Sequence, residues 1–442
     1  MSVPLQYPIH GRRSSELALS IESAIRDGHV APGVTLPPVR GLAASLHVSP
    51  ATVAAAYRRL AARGLVTGQG RRGTRVTPRP PLRMPTPAPV AAHLRNLADG
   101  NPDAALLPHL QPALRACARE PRLYGTERNH AGLLAAARQQ LASDGIPAES
   151  IAIVGGALDG LERVLQANLR PGDRIAVEDP GYTAVFDLVG ALGLVVEPVA
   201  VDDFGPEPVS LSKALRAGVQ AVIVTPRAQN PTGAALDEKR VRALRPVLQA
   251  HPTVLLLEDD HAGPVAGVPA LTLAHARRER WAVVRSVSKS LGPDLRLAVL
   301  AGDATTIARV EGRQHIGTGW VSHVLQEVVV RLWADQRTEA RLRAAASHYA
   351  ARRAGLIDTL RTHGIAAHGR SGFNVWVPVA DEQAAITGLA AAGWAVRAGE
   401  RYRIKSPSAI RVTISNLGPA DARRLAKDLA ALVSPAVQTR SA

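Results

Sequence analysis

The chain has 442 residues, 46% of them apolar, which is length for two or three domains and apolar content for a large buried core. Its one cysteine, Cys117, excludes a disulfide framework, no run of about 18 apolar residues offers a membrane span, and no charged-then-apolar leader opens the sequence, so a soluble cytoplasmic protein is expected. The formal charge is +16, and half of that excess falls in residues 1–80, which hold eleven Arg against three acids, the localised footprint of a polyanion partner.

Taken in order, Leu17, Ile21, Ala24 and Ile25 fall at helical spacing, closed by Gly28. After the turn APGVTLPP, Leu42, Ala43 and Leu46 predict a short second helix, broken at Val48 and Ser49. Ser49 then caps a third helix with Pro50 at its first position. Val53, Ala56, Tyr57 and Leu60 form its apolar stripe, and Arg58 and Arg59 ride on it. Two short helices joined by a tight turn describe a helix-turn-helix. The following LVTGQGRRGTRV reads as a β-hairpin wing, with Arg71, Arg72 and Arg75 at hand for phosphates or a minor groove.

The stretch LPPVRGLAASLHVSPATVAAAYRRLAARGLVTGQGRRGTRV resembles the winged helix-turn-helix of the GntR family of bacterial regulators. The resemblance implies that Arg40 touches DNA and that Ser49 and Thr52 begin the recognition helix. Pro50 stands where family members often carry Arg, which shifts the expected recognition toward Arg40, Thr52 and DNA shape. Residues 1–77 are therefore expected to form a domain that binds double-stranded DNA. Six prolines without helical period across 77–92 then predict a stiff, extended spacer, with its boundaries at 78–92.

From residue 93 to 432 the pattern alternates helices with the apolar runs IAIV, RIAV, LVVEPV, AVIVT, TVLLLED, AVVRSVS and LAVLAG. That alternation predicts an α/β layer with a largely parallel sheet, a large subdomain at about 130–325, a small subdomain from the remainder and a tail at 433–442. Functional residues are expected where such strands end. Five strand ends carry polar clusters. Gly155 and Gly156 open a helix, suited either to a phosphate on backbone N–H groups or to close packing. Glu178-Asp179-Pro180-Gly181-Tyr182 offers an aromatic ring in a chain with 3% aromatics. PRAQNPTG presents Asn230 on a rigid turn. Glu258-Asp259-Asp260-His261 sets three acids beside an apolar strand, costly unless they meet a cation; no second cluster has metal-ligand spacing, so no metal is expected. The last is RSVSKSLGPDLR, holding Ser286, Lys289 and Arg296. Lysine occurs only at 213, 239, 289, 405 and 427 in this Arg-rich chain, and an amine that must lose a proton and attack an aldehyde cannot be Arg.

One ligand would use all five clusters. A pyridine aldehyde phosphate needs an amine, a carboxylate for its ring nitrogen, a donor to its phenolate oxygen, an aromatic face and a phosphate cup. The ordered series resembles the fold-type I, aspartate aminotransferase-like enzymes that use pyridoxal 5'-phosphate. That resemblance implies that Lys289 forms the internal aldimine, Asp259 pairs with the pyridine nitrogen, Asn230 and His261 address the phenolate oxygen, and Tyr182 stacks on the ring. It assigns Ala157, Leu158, Ser286 and Arg296 to the phosphate, and Tyr124 to the phosphate across a dimer interface. It assigns Arg411, in AIRVTIS, to a substrate or effector carboxylate. His261 stands where the family mostly has Tyr, and its charge near neutral pH is expected to alter the cofactor's electronics. Asn129 stands where a Gly is usual.

A GntR-like winged helix, a Pro-rich spacer and an aminotransferase-like body together resemble the MocR (GabR-like) bacterial regulators. The expectation is a homodimeric, pyridoxal phosphate-dependent transcription regulator. It would sense the cofactor, an amine, an amino acid or a vitamin B6 effector through external aldimine formation. The alternative is a catalytically active aminotransferase with an accessory DNA-binding module, since Lys289, Asp259 and Arg411 are all present.

Overall fold

A computed structural model of the chain describes residues 9–26, 29–31, 33–62, 65–68, 73–77, 90–117, 120 and 122–433. Most of the expected spacer, the expected tail beyond 433, and Arg71 and Arg72 of the expected wing lie outside the described residues.

The N-terminal module has three helices, Ser14–Arg26, Val39–Leu46 and Pro50–Ala62, then an antiparallel hairpin pairing Val66–Gly68 with Thr74–Val76. Its core is made by the residues that set the periodicity: Leu17, Ile21, Ala24, Leu42, Val53, Ala56 and Leu60 are all buried. The Ser49 side chain accepts from the Thr52 N–H at 3.1 Å, a cap on the third helix. The Tyr57 hydroxyl donates to the Pro37 carbonyl at 2.7 Å, tying that helix to the turn before the second. Arg40, Arg58 and Arg59 are exposed, as is Arg75 on the hairpin, whose Nε donates to Thr35 at 3.2 Å.

The body holds an eight-stranded sheet. In spatial order its strands are Ser150–Val154, Ala298–Gly302, Trp281–Ser286, Leu255–Asp260, Ala221–Val224, Arg174–Asp179, Val195–Asp202 and Gly205–Pro206. The four strands from Trp281–Ser286 to Arg174–Asp179 pair in parallel and are almost wholly buried, as their unbroken apolar runs require. Parallelism fails at Ala298–Gly302, which is antiparallel to both its neighbours. The connection 287–297 holds only a short 3-10 turn, Pro293–Leu295, and a parallel return needs a longer crossover. Three parallel strands therefore end side by side, at Ser286, Asp260 and Val224, with the polar clusters just beyond.

A smaller antiparallel sheet joins Asn374–Pro378, Ala409–Thr413 and Arg397–Ala398, packed by the helices Gln336–Thr362 and Glu382–Ala391, with Pro419–Val433 against both helices. The segment that follows the spacer is stitched onto this part of the chain. Arg95–Asn96 pairs with Trp394–Ala395, Leu97 N–H donates to Ala395, and Thr413 N–H donates to the Leu97 carbonyl. Among the described residues, no helix is long and apolar enough to cross a membrane.

Candidate functional site

The three acids that end strand Leu255–Asp260 meet three environments. Glu258 is buried and accepts from the Thr272 hydroxyl at 2.7 Å and from backbone; burial still lifts its pKa to about 7. Asp260 is gripped by two guanidiniums: Arg227 donates from Nε and Nη2 at 2.8 Å each, and Arg285 from Nε at 2.7 Å. Burial alone would raise its pKa, but the two arginines overcome that and hold it far below the usual carboxylate range. Asp259 has neither remedy. It is 4% exposed, its Oδ1 has no hydrogen-bond partner, and burial, with the charges of Asp260 and Glu178, lifts its pKa to about 7. A buried carboxylate oxygen without a donor is suited to a cationic N–H.

Lys289 follows the parallel strand Trp281–Ser286. Its Nζ donates to the Gly100 carbonyl at 2.8 Å and stands 5.6 Å from the Phe373 ring centre. Burial, then the charge of Arg411, pulls its pKa down to about 8, so a sizeable fraction is neutral amine near physiological pH. His261 is driven down to about 4 by burial, by Lys289 and by Arg227, against the opposing pull of Asp260. The charge expected on His261 near neutral pH is thus corrected. Its environment keeps the imidazole neutral, able to donate or accept a hydrogen bond.

Arg411 is 3% exposed on strand Ala409–Thr413. Its guanidinium donates to Asn230 Oδ1 at 3.1 Å and to the Ala98 carbonyl, lies 5.0 Å from the Tyr402 ring, and has an unpartnered Nε. Asn230 and Arg411, 181 residues apart, are therefore direct neighbours. Tyr182 is 36% exposed; its phenol pKa is raised by burial first, then by Asp259 and Tyr402, and is drawn back by Arg411 and Arg296. Those couplings set one ring among the carboxylate and two of the arginines singled out in the sequence.

The glycine cluster makes a cradle. Gly156, at φ +114, precedes helix Ala157–Asn168 with no side-chain cap, leaving the Ala157 and Leu158 N–H groups at an open helix start. That φ is a conformation that favours glycine, and a Cβ on Gly156 would also crowd Nη2 of Arg296 at 3.1 Å, so the glycine brings that guanidinium close to the helix start. Ser286 Oγ lies 3.0 Å from Ser288 Oγ and accepts from the Ser288 N–H at 3.2 Å. Tyr124 stands apart: it is 91% exposed and meets Trp320 edge-on at 5.5 Å.

Several contributors were not read from sequence. The carbonyls of Ala98 and Gly100 hold Arg411 and Lys289, yet a backbone acceptor leaves no mark in residue type. Arg227 and Arg285 lay inside the quoted motifs, but nothing in their spacing told that both converge on Asp260. In the N-terminal module, Arg40, Ser49 and Arg58 are exposed and Thr52 is half-buried, sharing a 2.9 Å hydroxyl contact with Ser49.

Comparisons with known proteins agree with this two-part organisation. Residues 93–429 match the family described as aminotransferase class I and II, and residues 13–76 match the bacterial regulatory proteins of the gntR family. The chain is 39% identical over 430 residues to the vitamin B6 salvage pathway transcriptional repressor PtsJ of Salmonella typhimurium, covering 95% of this chain and 98% of that one. It is 30% identical to the pyridoxine biosynthesis transcriptional regulator PdxR of Corynebacterium glutamicum over 368 residues, 78% of each chain. Among solved structures, Pyrococcus horikoshii kynurenine aminotransferase superposes with a TM-score of 0.69 at 21% identity, covering 77% of this chain and 91% of that one. That last likeness shows the fold alone.

Proposed function

The chain belongs to the MocR-type regulators of the GntR family, whose winged helix-turn-helix precedes an aminotransferase class I and II body, and on that premise we propose that it regulates transcription in response to pyridoxal 5'-phosphate or an amine that reacts with it. The observation that carries the reading is the presence together of a buried Lys289, its pKa lowered to about 8, and a buried Asp259 carboxyl with an oxygen that has no hydrogen-bond partner. The residues fit the cofactor: Asp259 lacks the cation that a pyridinium N–H provides, and the Gly156 cradle opens beside Arg296.

In this reading Lys289 holds the aldehyde carbon, Asp259 keeps the ring nitrogen protonated, Tyr182 covers the ring, and Asn230 and neutral His261 address the phenolate oxygen. Ala157, Leu158, Ser286 and Arg296 take the phosphate. Bound there, pyridoxal phosphate supplies an electrophilic carbon that exchanges one amine for another. Arg411 pairs with the carboxylate of an amino-acid effector, with Tyr402 beneath its guanidinium. Its existing bonds to Asn230 and Ala98 orient it before any ligand arrives. Relatives named for vitamin B6 salvage and pyridoxine biosynthesis favour a B6 vitamer as the effector. Leu123 and Tyr124 are 71% and 91% exposed, apolar side chains that a second copy of the chain would cover, with Tyr124 reaching that copy's phosphate group.

Arg40, Ser49, Thr52 and Arg58 would contact operator DNA, with Arg71 and Arg72 adding phosphate contacts from the wing. The proposed partition is a DNA-binding domain at 1–77, a spacer at 78–92 and a sensing body at 93–432. The test is operator footprinting with and without pyridoxal phosphate, alongside absorbance of the bound cofactor in the parent and Lys289→Ala proteins. Protection that responds to cofactor in the parent and not in Lys289→Ala supports sensing. Steady transamination without operator protection would favour the second reading, an enzyme, which the presence of Lys289, Asp259 and Arg411 together allows.

A further inference from the structure

Apart from the groups assigned above, the body holds a cavity of about 310 Å³ whose lining includes Asp144, Arg227, Arg285, Trp333, Leu342 and Arg343. Two of these arginines are only 6% exposed. Arg227 is committed: its Nε and Nη2 go to Asp260, and its Nη1 donates to the Val268 carbonyl. Arg285 is not. Nε goes to Asp260, Nη1 meets Asp144 at 2.7 Å, and Nη2 is buried with no hydrogen-bond partner. Two edges of a guanidinium can take a carboxylate or phosphate two-pronged: the Nε–Nη2 edge, which Arg227 uses on Asp260, and the edge formed by Nη1 and Nη2. Asp144, its side chain 30% exposed, occupies half of that edge and stands in for an incoming oxyanion. Arg343 adds a third cation, ion-paired with Glu339 on the preceding helical turn, which also lines the cavity. The volume is several times that of a bare oxyanion, and Trp333 and Leu342 give the remainder an apolar wall.

We propose that this cavity binds a small organic anion, its carboxylate or phosphate on the Nη1–Nη2 edge of Arg285 and its apolar body against Trp333 and Leu342. Arg285 and Arg227 share Asp260, and the charge of Asp260 acts on both Asp259 and His261. An anion at Arg285 therefore competes for the cation that balances Asp260 and adds negative charge near the cofactor's carboxylate. This last link, unlike the binding itself, rests on the cofactor reading given above.

The test is calorimetric titration of the full chain, loaded with pyridoxal phosphate, using benzoate, phenyl phosphate and inorganic phosphate as probes. The titrations are run in an Arg411→Gln background, which removes the carboxylate site proposed for the effector; there one saturable site for benzoate or phenyl phosphate is expected, with inorganic phosphate at least tenfold weaker, and the tighter organic probe identifies the head group. Asp144→Asn removes the internal competitor at a partly exposed position and should tighten binding about tenfold, whereas Arg343→Gln should weaken it about threefold. Absence of saturable binding, inorganic phosphate binding equally well, or an Asp144→Asn protein with unchanged or weaker affinity would overturn the site. The link to the cofactor is read separately, as a probe-dependent shift of the cofactor's absorbance that Arg343→Gln diminishes; binding without a shift overturns the link. If the chain takes up no cofactor, the same titrations and variants are run on it directly, so failure of one reading is distinguishable from failure of the other.

Discussion

Asp259 and Asp260 are adjacent, both nearly inaccessible, and oppositely provided for: two arginines neutralise Asp260, while Asp259 keeps an oxygen without a donor. In a strand the two side chains point to opposite faces, so the pair divides its labour between a self-satisfied cluster and a carboxyl held ready. The cost of that readiness is carried by the protein until a cation meets Asp259.

That cost has a pH signature in the cofactor-free protein. A carboxyl whose folded pKa is raised to about 7 favours the folded state while protonated, and the advantage is lost as pH climbs from about 4 through 7. Glu178 and Glu258 shift in the same direction and contribute a background slope. Asp259→Asn mimics the protonated form. Relative to the parent it should gain stability between pH 5 and pH 8, by an amount on the order of a few kcal/mol. Urea denaturation at the two pH values measures it; an identical difference at both would exclude Asp259 as the titrating group.

Lys289 should set the pace of cofactor capture. With its pKa lowered to about 8, the neutral amine fraction rises as pH passes through that value, and the rate of growth of the bound-cofactor absorbance should rise with it. Arg411→Gln removes the secondary cause of that lowering and should move the midpoint upward. Stopped-flow absorbance from pH 6.5 to 9.5 reads both. A pH-independent rate, or a midpoint indifferent to Arg411, contradicts the assignment.

Arg411→Gln should also separate two classes of effector. Loss of a buried, two-pronged carboxylate contact costs about 2–3 kcal/mol, or roughly 30- to 150-fold in affinity. Amino acids should lose that much, whereas the corresponding amines without a carboxylate, and the cofactor itself, should bind nearly as before. Spectral titration with an amino acid and its decarboxylated analogue makes the comparison. Equal losses for both would place the carboxylate elsewhere.

For DNA, Arg40→Ala with Arg58→Ala should weaken operator binding across sequences and flatten the plot of log affinity against log salt by about 0.9 for each phosphate contact removed. Cofactor absorbance should stay unchanged. Fluorescence anisotropy at several salt concentrations measures the slope, and full-strength binding by the double variant would mean that the interface uses other residues.

Much of this fold was legible because it is periodic. Leu17, Ile21, Val53, Ala56 and Leu60 mark the N-terminal core by spacing alone, and Ser49 announces its helix start. Unbroken apolar runs marked the central strands, but direction is set by connection length, so the antiparallel Ala298–Gly302 was not evident. Lys289 and an acid at the end of its neighbouring strand were visible as residue types wanted by one ligand, whereas Arg411 was marked only by the family resemblance. Their electrostatic states were not, because the neutrality of His261 depends on burial and on Lys289 and Arg227, from separate stretches of chain. Backbone acceptors and the double clamp on Asp260 are properties of proximity, and no local pattern encodes them.

The strip 97–100 is held at two points. Its carbonyls at Ala98 and Gly100 are held by Arg411 and Lys289, and it follows the proline-rich stretch by only a few residues. An amine nitrogen that is bonded to carbon surrenders donor protons, and a guanidinium turned to a ligand carboxylate has fewer to spare. Holding the strip and capturing a ligand are thus competing claims on the same N–H groups. Two side chains from distant parts of the sequence fasten the strip, and both are ones that the proposed ligand would engage.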